Sequence, residues 1–386
     1  AFSEGGGIYT EESGLIVRSS KVNDNQAHGT GFYTGGGGLR LQNSHVLLTD
    51  VEIANNIAVN KGGGIYSTFV YSNTSSEFIR IQVLNNQAFT GGGIQLNNDH
   101  PLISHSTIIG NNASENGGGI GCFYDYSIPV LSDVVIANNT ATNGGGIYVL
   151  QNAAPQLSNV LLTHNHATSL GGAMYYSVYA EGNSTYVTME NNTAGAFAGI
   201  YSTEFSFPAF SLSNLLDESV ALNNNDNLVT IDADSCWWGH SSGPYHSTIN
   251  PNGSGETVSG TVDITPWLIS PDINAPPIAP NNLEVTSTGN DFIALIWGSS
   301  PLEDHAGYKI YYDTNENGYP YANSLDVGTD TSYTLSGLNL GTQYFLAVTV
   351  YDTDGNESWY SQEVTGTTRV MEAQNLDIAG NEDLYH

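Results

Sequence analysis

The chain has 386 residues, enough for two or three domains. Its 7 Lys+Arg against 38 Asp+Glu give a formal net charge of −31, which repels nucleic acid phosphates and anionic membrane surfaces and suits cations such as calcium. The 44 glycines follow no Gly-X-Y period and form no flexible Gly/Ser tract, which excludes collagen and disorder, and no apolar run is long enough to span a membrane.

The chain opens at "EGGGIYT" (4–10), already inside a repeat, as expected of a piece cut from something longer. The apolar residue after each glycine run is Ile8, Leu39, Ile65, Ile94, Ile120, Ile147, Met174 and Ile200, at spacings of 31, 26, 29, 26, 27, 27 and 26. So regular a period predicts a solenoid. Ahead of most glycine runs stands an apolar strand ending in asparagine: "VEIANN" (51–56), "IQVLNN" (81–86), "TIIGNN" (107–112), "VVIANN" (134–139), "LLTHN" (161–165) and "VTMENN" (187–192). Alanine usually follows one or two residues later. Short β-type runs separated by Asn/Gly corners leave no room for a helix, so each unit reads as one rung of a parallel β-helix.

Stacking gives the punctuation a purpose. Corners need backbone angles that glycine adopts without strain, and side chains small enough to nest at roughly 4.8 Å per rung. Stacked asparagines can hydrogen-bond along the axis. The residue after each glycine run points inward and the next one outward. The outward series is Tyr9, Arg40, Tyr66, Gln95, Gly121, Tyr148, Tyr175 and Tyr201. Its tyrosines are candidates for glycan contact, or else for cross-rung stacking that stabilises the sheet.

His105 in "PLISH", Asp133 in "PVLSD" and Asn159 in "PQLSN" fall at equivalent places and are expected to stack as a structural row. Cys122 and Cys236 lie about four rungs apart, roughly 19 Å at the strand spacing, beyond the ~7 Å that a disulfide allows. Both are expected to be unpaired thiols, with Cys122 in or near the core.

The "N-x-A…GGGI" rungs of residues 1–269 resemble the right-handed parallel β-helix repeat family with the pectate-lyase-like fold, and in particular bacterial surface and autotransporter proteins. "CWWGHSSGP" (236–244) through "GTVDITPWL" (260–268) is similar to the closing segment of secreted bacterial β-helix domains. That resemblance implies the fold; the fold itself hosts lyases, hydrolases, adhesins and inert stalks. A lyase needs a basic residue beside calcium-holding carboxylates, and the solenoid's basic residues are Arg18, Lys21, Arg40, Lys61 and Arg80, with none following until Lys309. A galacturonan-type hydrolase needs clustered aspartates. No Asp-Asp pair occurs, and Gly239-His240 is followed by Ser241 rather than the glycine of that family's motif. Asp232 and Asp234 are the remaining catalytic candidates.

"SPDINAPPIAP" (270–280) is a Pro-rich linker. Short alternating strands then run from 281 to 368 and predict a small sandwich. This region resembles a fibronectin type III domain: Trp297 matches its buried tryptophan, Tyr344 its tyrosine corner, and "DTDGNES" (352–358) its last hairpin loop. In "DTNENG" (313–318), Asp313, Asn315 and Asn317 are spaced like the first ligands of a calcium loop. Position 324, where the closing glutamate would fall, is serine. Residues 369–386 form a tail or begin a further module.

Together these features predict an all-β chain: a right-handed parallel β-helix followed by a fibronectin type III-like sandwich. The expected role is a non-catalytic extracellular or cell-surface structural or adhesive protein, joined head-to-tail to itself or bound to polysaccharide. The alternative is a secreted carbohydrate-active enzyme, lyase or glycoside hydrolase, with a fibronectin-like spacer. No cofactor is required, and calcium is the one ion the composition favours.

Overall fold

Residues 5–31, 34–68, 75–217, 219–314 and 319–370 are described by the structure, a computed structural model. The described residues are strands and turns without helix, and they divide into two compact units meeting between Pro276 and Pro277. The first unit is a solenoid of about nine turns. Three parallel sheets run along it, and each strand pairs with its equivalents one rung before and one rung after.

The residues after the glycine runs form one column: Ile8 opposes Leu39, and the register continues through Ile65, Ile94, Ile120, Ile147, Met174 and Ile200 to Leu222 and Val258. From Leu39 onward these side chains are buried. Two residues later, Leu41, Leu96, Cys122, Val149 and Tyr176 also face the core, as period-two alternation requires. Burying so many aliphatic side chains is the main stabilising term.

The narrow second sheet explains the recurring alanines. Ala27, Ala58, Ala88, Ala113, Ala141 and Ala167 are buried along it, with Ala27, Ala58 and Ala88 packed on one another. The second glycine of each triplet packs against that sheet from inside. A Cβ on Gly145 would lie 2.6 Å from the Gly172 carbonyl oxygen and 2.7 Å from that of His166. The first glycine serves the turn, with φ of 62° at Gly91, 70° at Gly117 and 62° at Gly144.

The asparagines form a continuous ladder, buried from Asn56 onward: Asn25, Asn56, Asn86, Asn111, Asn139, Asn165 and Asn192. Each Nδ2 donates to the Oδ1 of the next rung at 2.9–3.0 Å, and from Asn56 onward also to a backbone carbonyl such as that of Ile108 or Ile136. Each backbone N–H donates to the same Oδ1, as Asn111 does to Asn139 at 2.9 Å.

The ladder ends on a carboxylate. Asn192 donates to Asp217 through its backbone N–H at 2.8 Å and through Nδ2 at 2.9 Å. Burial outweighs these bonds and raises the Asp217 carboxyl to about 7. Its native pKa therefore lies above the unfolded value of 3.8, and folding favours the protonated form. That contribution is complete below about pH 4 and is lost as pH rises through 7. Asp217→Asn is expected to exceed the parent in stability at pH 8 and to lose that advantage at pH 4. Urea unfolding at both pH values checks this, and equal differences at the two would refute it.

The closing segment resumes the same architecture. Trp238, Cys236 and Ile264 are buried, and Leu215 donates to the Trp237 carbonyl at 2.8 Å. Residues 270–276 stay on the solenoid: Asp272 N–H donates to Asn214 Oδ1 at 2.9 Å, and the Thr188 hydroxyl to the Pro276 carbonyl at 2.5 Å.

The second unit is an antiparallel sandwich. One sheet holds Glu284–Thr288, Phe292–Ile296 and Ser332–Ser336; the other holds His305–Asp313, Asn323–Gly328, Gln343–Asp352 and Val364–Thr367. Trp297 is buried edge-on against Tyr308, with ring centroids 5.7 Å apart. The Tyr344 hydroxyl accepts the Asn339 N–H at 3.0 Å, making the expected tyrosine corner.

Candidate functional site

The outward face of the glycine-flanked sheet holds the tyrosines singled out from the sequence. The register is as expected: Tyr9, Arg40, Tyr66, Gln95, Gly121, Tyr148, Tyr175 and Tyr201 are successive partners. Their environment is not the open stripe that alternation implies. Arg40 and Tyr66 are fully buried, and Tyr148 and Tyr201 nearly so; Tyr9 alone in the series is 42% exposed, with Tyr175 half-buried. The side chains pack on one another as a column. Tyr148 stacks on Tyr175 at 5.0 Å, Tyr175 meets Tyr201 at 5.2 Å, and the Arg40 guanidinium lies 4.3 Å from the centre of the Tyr66 ring.

The gap at Gly121 is filled from a neighbouring position. A Cβ there would lie 2.5 Å from Cε2 of Phe123, so the Phe123 ring occupies the vacated space and meets Tyr148 at 5.6 Å. At the other interruption Gln95 joins a polar chain, in which Gln95 Nε2 donates to Asn97 Oδ1 at 3.0 Å and Asn97 Nδ2 to the Tyr66 hydroxyl at 3.1 Å. Beside it lies a cavity of about 430 Å³ lined by Lys61, Phe89, Gln95, Glu115, Phe123 and Tyr124, among others. Burial, with Arg40 adding to it, lowers the Lys61 ammonium to about 8. The cavity offers a cation, a carboxylate and aromatic walls.

A second groove of about 520 Å³ gathers charges from four rungs. Within it Lys21 pairs with Glu52 at 2.6 Å, and Arg80 grips Asp50 at 2.6 and 3.0 Å. His105 sits 3.6 Å from Asp133, which accepts from Asn159 Nδ2 at 2.7 Å. The expected His105–Asp133–Asn159 row is therefore present. It sits on a kink of the long strands, where all three have φ between 50° and 56°. The Arg80 contact holds the Asp50 carboxyl below its usual range, and Lys21 does the same for Glu52.

Asp232 and Asp234 occupy an exposed turn in which the Asp234 N–H donates to Asp232 Oδ1 at 3.3 Å. Asp263 opposes Asp232 on the next strand. Among the described residues no basic side chain forms an ion pair with either of them.

Asp313 is buried, and its carboxylate accepts the backbone N–H groups of Thr314 at 2.6 Å and Ala322 at 3.0 Å, closing its own hairpin. Asn315 and Asn317 lie outside the described residues. Among the described residues no group of three or more His, Cys, Asp or Glu side chains is placed to hold a metal ion. Cys122 and Cys236 are free and buried, and burial pushes the Cys122 thiol up to about 12.

A row of exposed rings lies at one corner of the solenoid. After each glycine-flanked strand the chain turns a corner, and Tyr126, Asn152, Tyr179 and Phe205 follow one another along it. The three rings are 71%, 51% and 41% exposed.

Comparison with known proteins fits this architecture. Residues 6–194 match the model of the right handed beta helix region, and residues 278–367 that of the fibronectin type III domain. The chain is a right-handed parallel β-helix followed by a fibronectin type III domain. A Kelch domain-containing protein of Saccharolobus solfataricus is 35% identical over 85 residues, 22% of this chain and 11% of that protein. The chain thus spans about a ninth of that relative's length. The fibronectin type III domain of human fibronectin type III domain containing protein 3 is 25% identical, covering 26% of this chain and 94% of that one, with a TM-score of 0.23. A beta-1,2-glucanase from Parabacteroides distasonis is 28% identical over 25% of this chain and 14% of its own, with a TM-score of 0.22.

Proposed function

We propose that this β-helix and fibronectin type III chain is a non-catalytic structural or adhesive protein of the cell exterior, with its solenoid serving as a stiff support for surface contacts. The observation that carries this reading is how His105 and three of the solenoid's five lysines and arginines are spent. Lys21, Arg80 and His105 each face a carboxylate of a neighbouring rung, and Arg40 lies buried over Tyr66. A general base needs a proton within reach in a substrate pose, and groups held in structural pairs across rungs are poorly suited to that task. Among the described residues no basic side chain contacts Asp232 or Asp234 in the way that lysis requires. Exposed polar, aromatic and acidic side chains at the solenoid's corners, such as Tyr126, Asn152, Tyr179 and Glu204, suit contact with saccharides and other hydroxyl-rich matter.

Incubation with a panel of neutral and acidic polysaccharides, followed by reducing-end and unsaturated-product assays, tests the reading. No product above the blank is expected. Turnover that disappears in Asp232→Asn or Asp234→Asn would replace this reading with that of a carbohydrate-active enzyme.

A further inference from the structure

The cavity beside Gln95 lies where two columns of the solenoid break their pattern together. On the outward face of the glycine-flanked sheet, Gln95 follows Tyr66 and puts an amide where its neighbour carries a ring. At the turn just ahead of the glycine runs, successive rungs carry Lys61, Thr90, Asn116, Asn143, Leu170 and Phe197. The later residues of that series are all uncharged, so the turn itself has no need of a cation. Lys61 is nevertheless only 9% exposed. Its ammonium lies 5.7 Å from the centre of the Tyr66 ring, and the buried Arg40 guanidinium lies 4.3 Å from the same ring. Holding two like charges close together away from bulk water costs free energy, and an anion beside them offsets that cost.

The cavity gives an anion access to this pair. Its lining joins Lys61 and the buried Gln95 to three rings: Phe123, the half-buried Tyr124, and Phe89, which is 48% exposed. A volume of about 430 Å³ admits one substituted ring. Glu115 also lines it, but that carboxylate is exposed and screened by water, whereas the buried ammonium is screened far less. The same carboxylate and a net charge of −31 penalise a doubly charged anion more heavily than a singly charged one.

We propose that this cavity binds a small organic acid in which a single carboxylate is attached to a six-membered ring, with the carboxylate seated on Lys61 and the ring against Phe89 and Phe123. Sugar acids and aromatic acids share that chemistry. Such a site goes beyond the structural or adhesive reading and does not depend on it.

The probes are glucuronate and benzoate, each set against an uncharged counterpart, glucose and benzamide, with sulfate as the doubly charged anion. Calorimetry measures affinity, and NMR of isotope-labelled lysine side chains locates the contact. The chain has three lysines, Lys21, Lys61 and Lys309, so the Lys61 signal is identified by its loss in Lys61→Met. At least one of the two acids is expected to bind and to shift Lys61 while Lys21 and Lys309 stay unchanged; which one binds identifies the source. Burial, with Arg40 adding to it, lowers the Lys61 ammonium to about 8, so affinity is expected to weaken as pH rises past that value. The other charged and titratable groups facing Lys61 among the described residues are Tyr66, Glu115 and Tyr124. Lys61→Met is expected to weaken binding at least tenfold, and Gln95→Tyr to block it by extending the ring column into the cavity. Lys21→Met, in the other groove, is expected to leave affinity unchanged. The pH profile and the neutral probes need no variant, so a misfolded substitution does not blunt the test. Binding of neither acid, equal binding of the uncharged counterparts, tighter binding of sulfate, affinity indifferent to pH above 8, or full binding by a folded Lys61→Met would each overturn the site.

Discussion

Replacing Asn139 by alanine is expected to destabilise the solenoid by about 3 kcal/mol or more, as truncation of any buried rung of the asparagine ladder should. Four hydrogen bonds end on this amide. Its Oδ1 accepts from the backbone and side chain of Asn111 at 2.9 and 3.0 Å, and its Nδ2 donates to the Ile108 carbonyl at 2.8 Å and to Asn165 Oδ1 at 3.0 Å. Truncation strands those partners away from water, and the cost of unmet buried groups exceeds the gain from making each bond. Asn139→Asp is nearly as damaging because a carboxylate can accept from Asn111 but cannot donate to Ile108 or Asn165. Chemical denaturation followed by circular dichroism measures the effect. A loss below about 1 kcal/mol for Asn139→Ala would mean that the ladder contributes no more than an ordinary surface bond.

Gly145→Ala is expected to have a comparable effect through sterics, about 3 kcal/mol. The added methyl would press on the Gly172 and His166 carbonyl oxygens at 2.6 and 2.7 Å, both of them backbone and fixed by sheets on two sides of the corner. Local exchange of amide hydrogens across rungs 118–172 is expected to accelerate, because each rung is braced only by its neighbours. The molecule marks where this constraint lapses. At the rung that closes the narrow sheet, Thr193–Ala196, the glycine triplet is replaced by Phe197, Ala198 and Gly199, with Phe197 itself at φ 55°. A stable, native-like Gly145→Ala would show that the corner yields more easily than its backbone spacing implies.

The fold was legible because its demands recur. Glycine triplets, ladder asparagines and bend alanines answer the same local geometry at every rung, so a period in sequence became a column in space. The functional surface was harder to read, because what covers or exposes a side chain is not periodic. Alternation placed Tyr66, Tyr148 and Tyr201 outward correctly, yet packing within the column and from neighbouring turns buries them. The gap at Gly121 looked like an interruption because the ring that fills it belongs to Phe123, on the same strand but out of register. The aromatic corner escaped notice because the turn carrying Tyr126 is one residue longer than those carrying Asn152, Tyr179 and Phe205, and because Asn152 interrupts the aromatic row. A short pattern does mark it, a corner residue and a small residue followed two positions later by proline, in "YSIP" (126–129), "NAAP" (152–155) and "FSFP" (205–208), with "YAEG" (179–182) as the variant.

The asparagine ladder points one way. Every bond from one ladder amide to the next runs toward the higher-numbered rung, and the last donor meets the carboxylate of Asp217. Such an array is vectorial, with a dipole along the axis whose positive end lies beside that acid. Any rung spliced into the stack must therefore enter in the same sense, offering an acceptor to the rung before it and a donor to the rung after. A whole copied repeat satisfies both demands at once, which makes the length of this solenoid adjustable in unit steps without new chemistry at the joints.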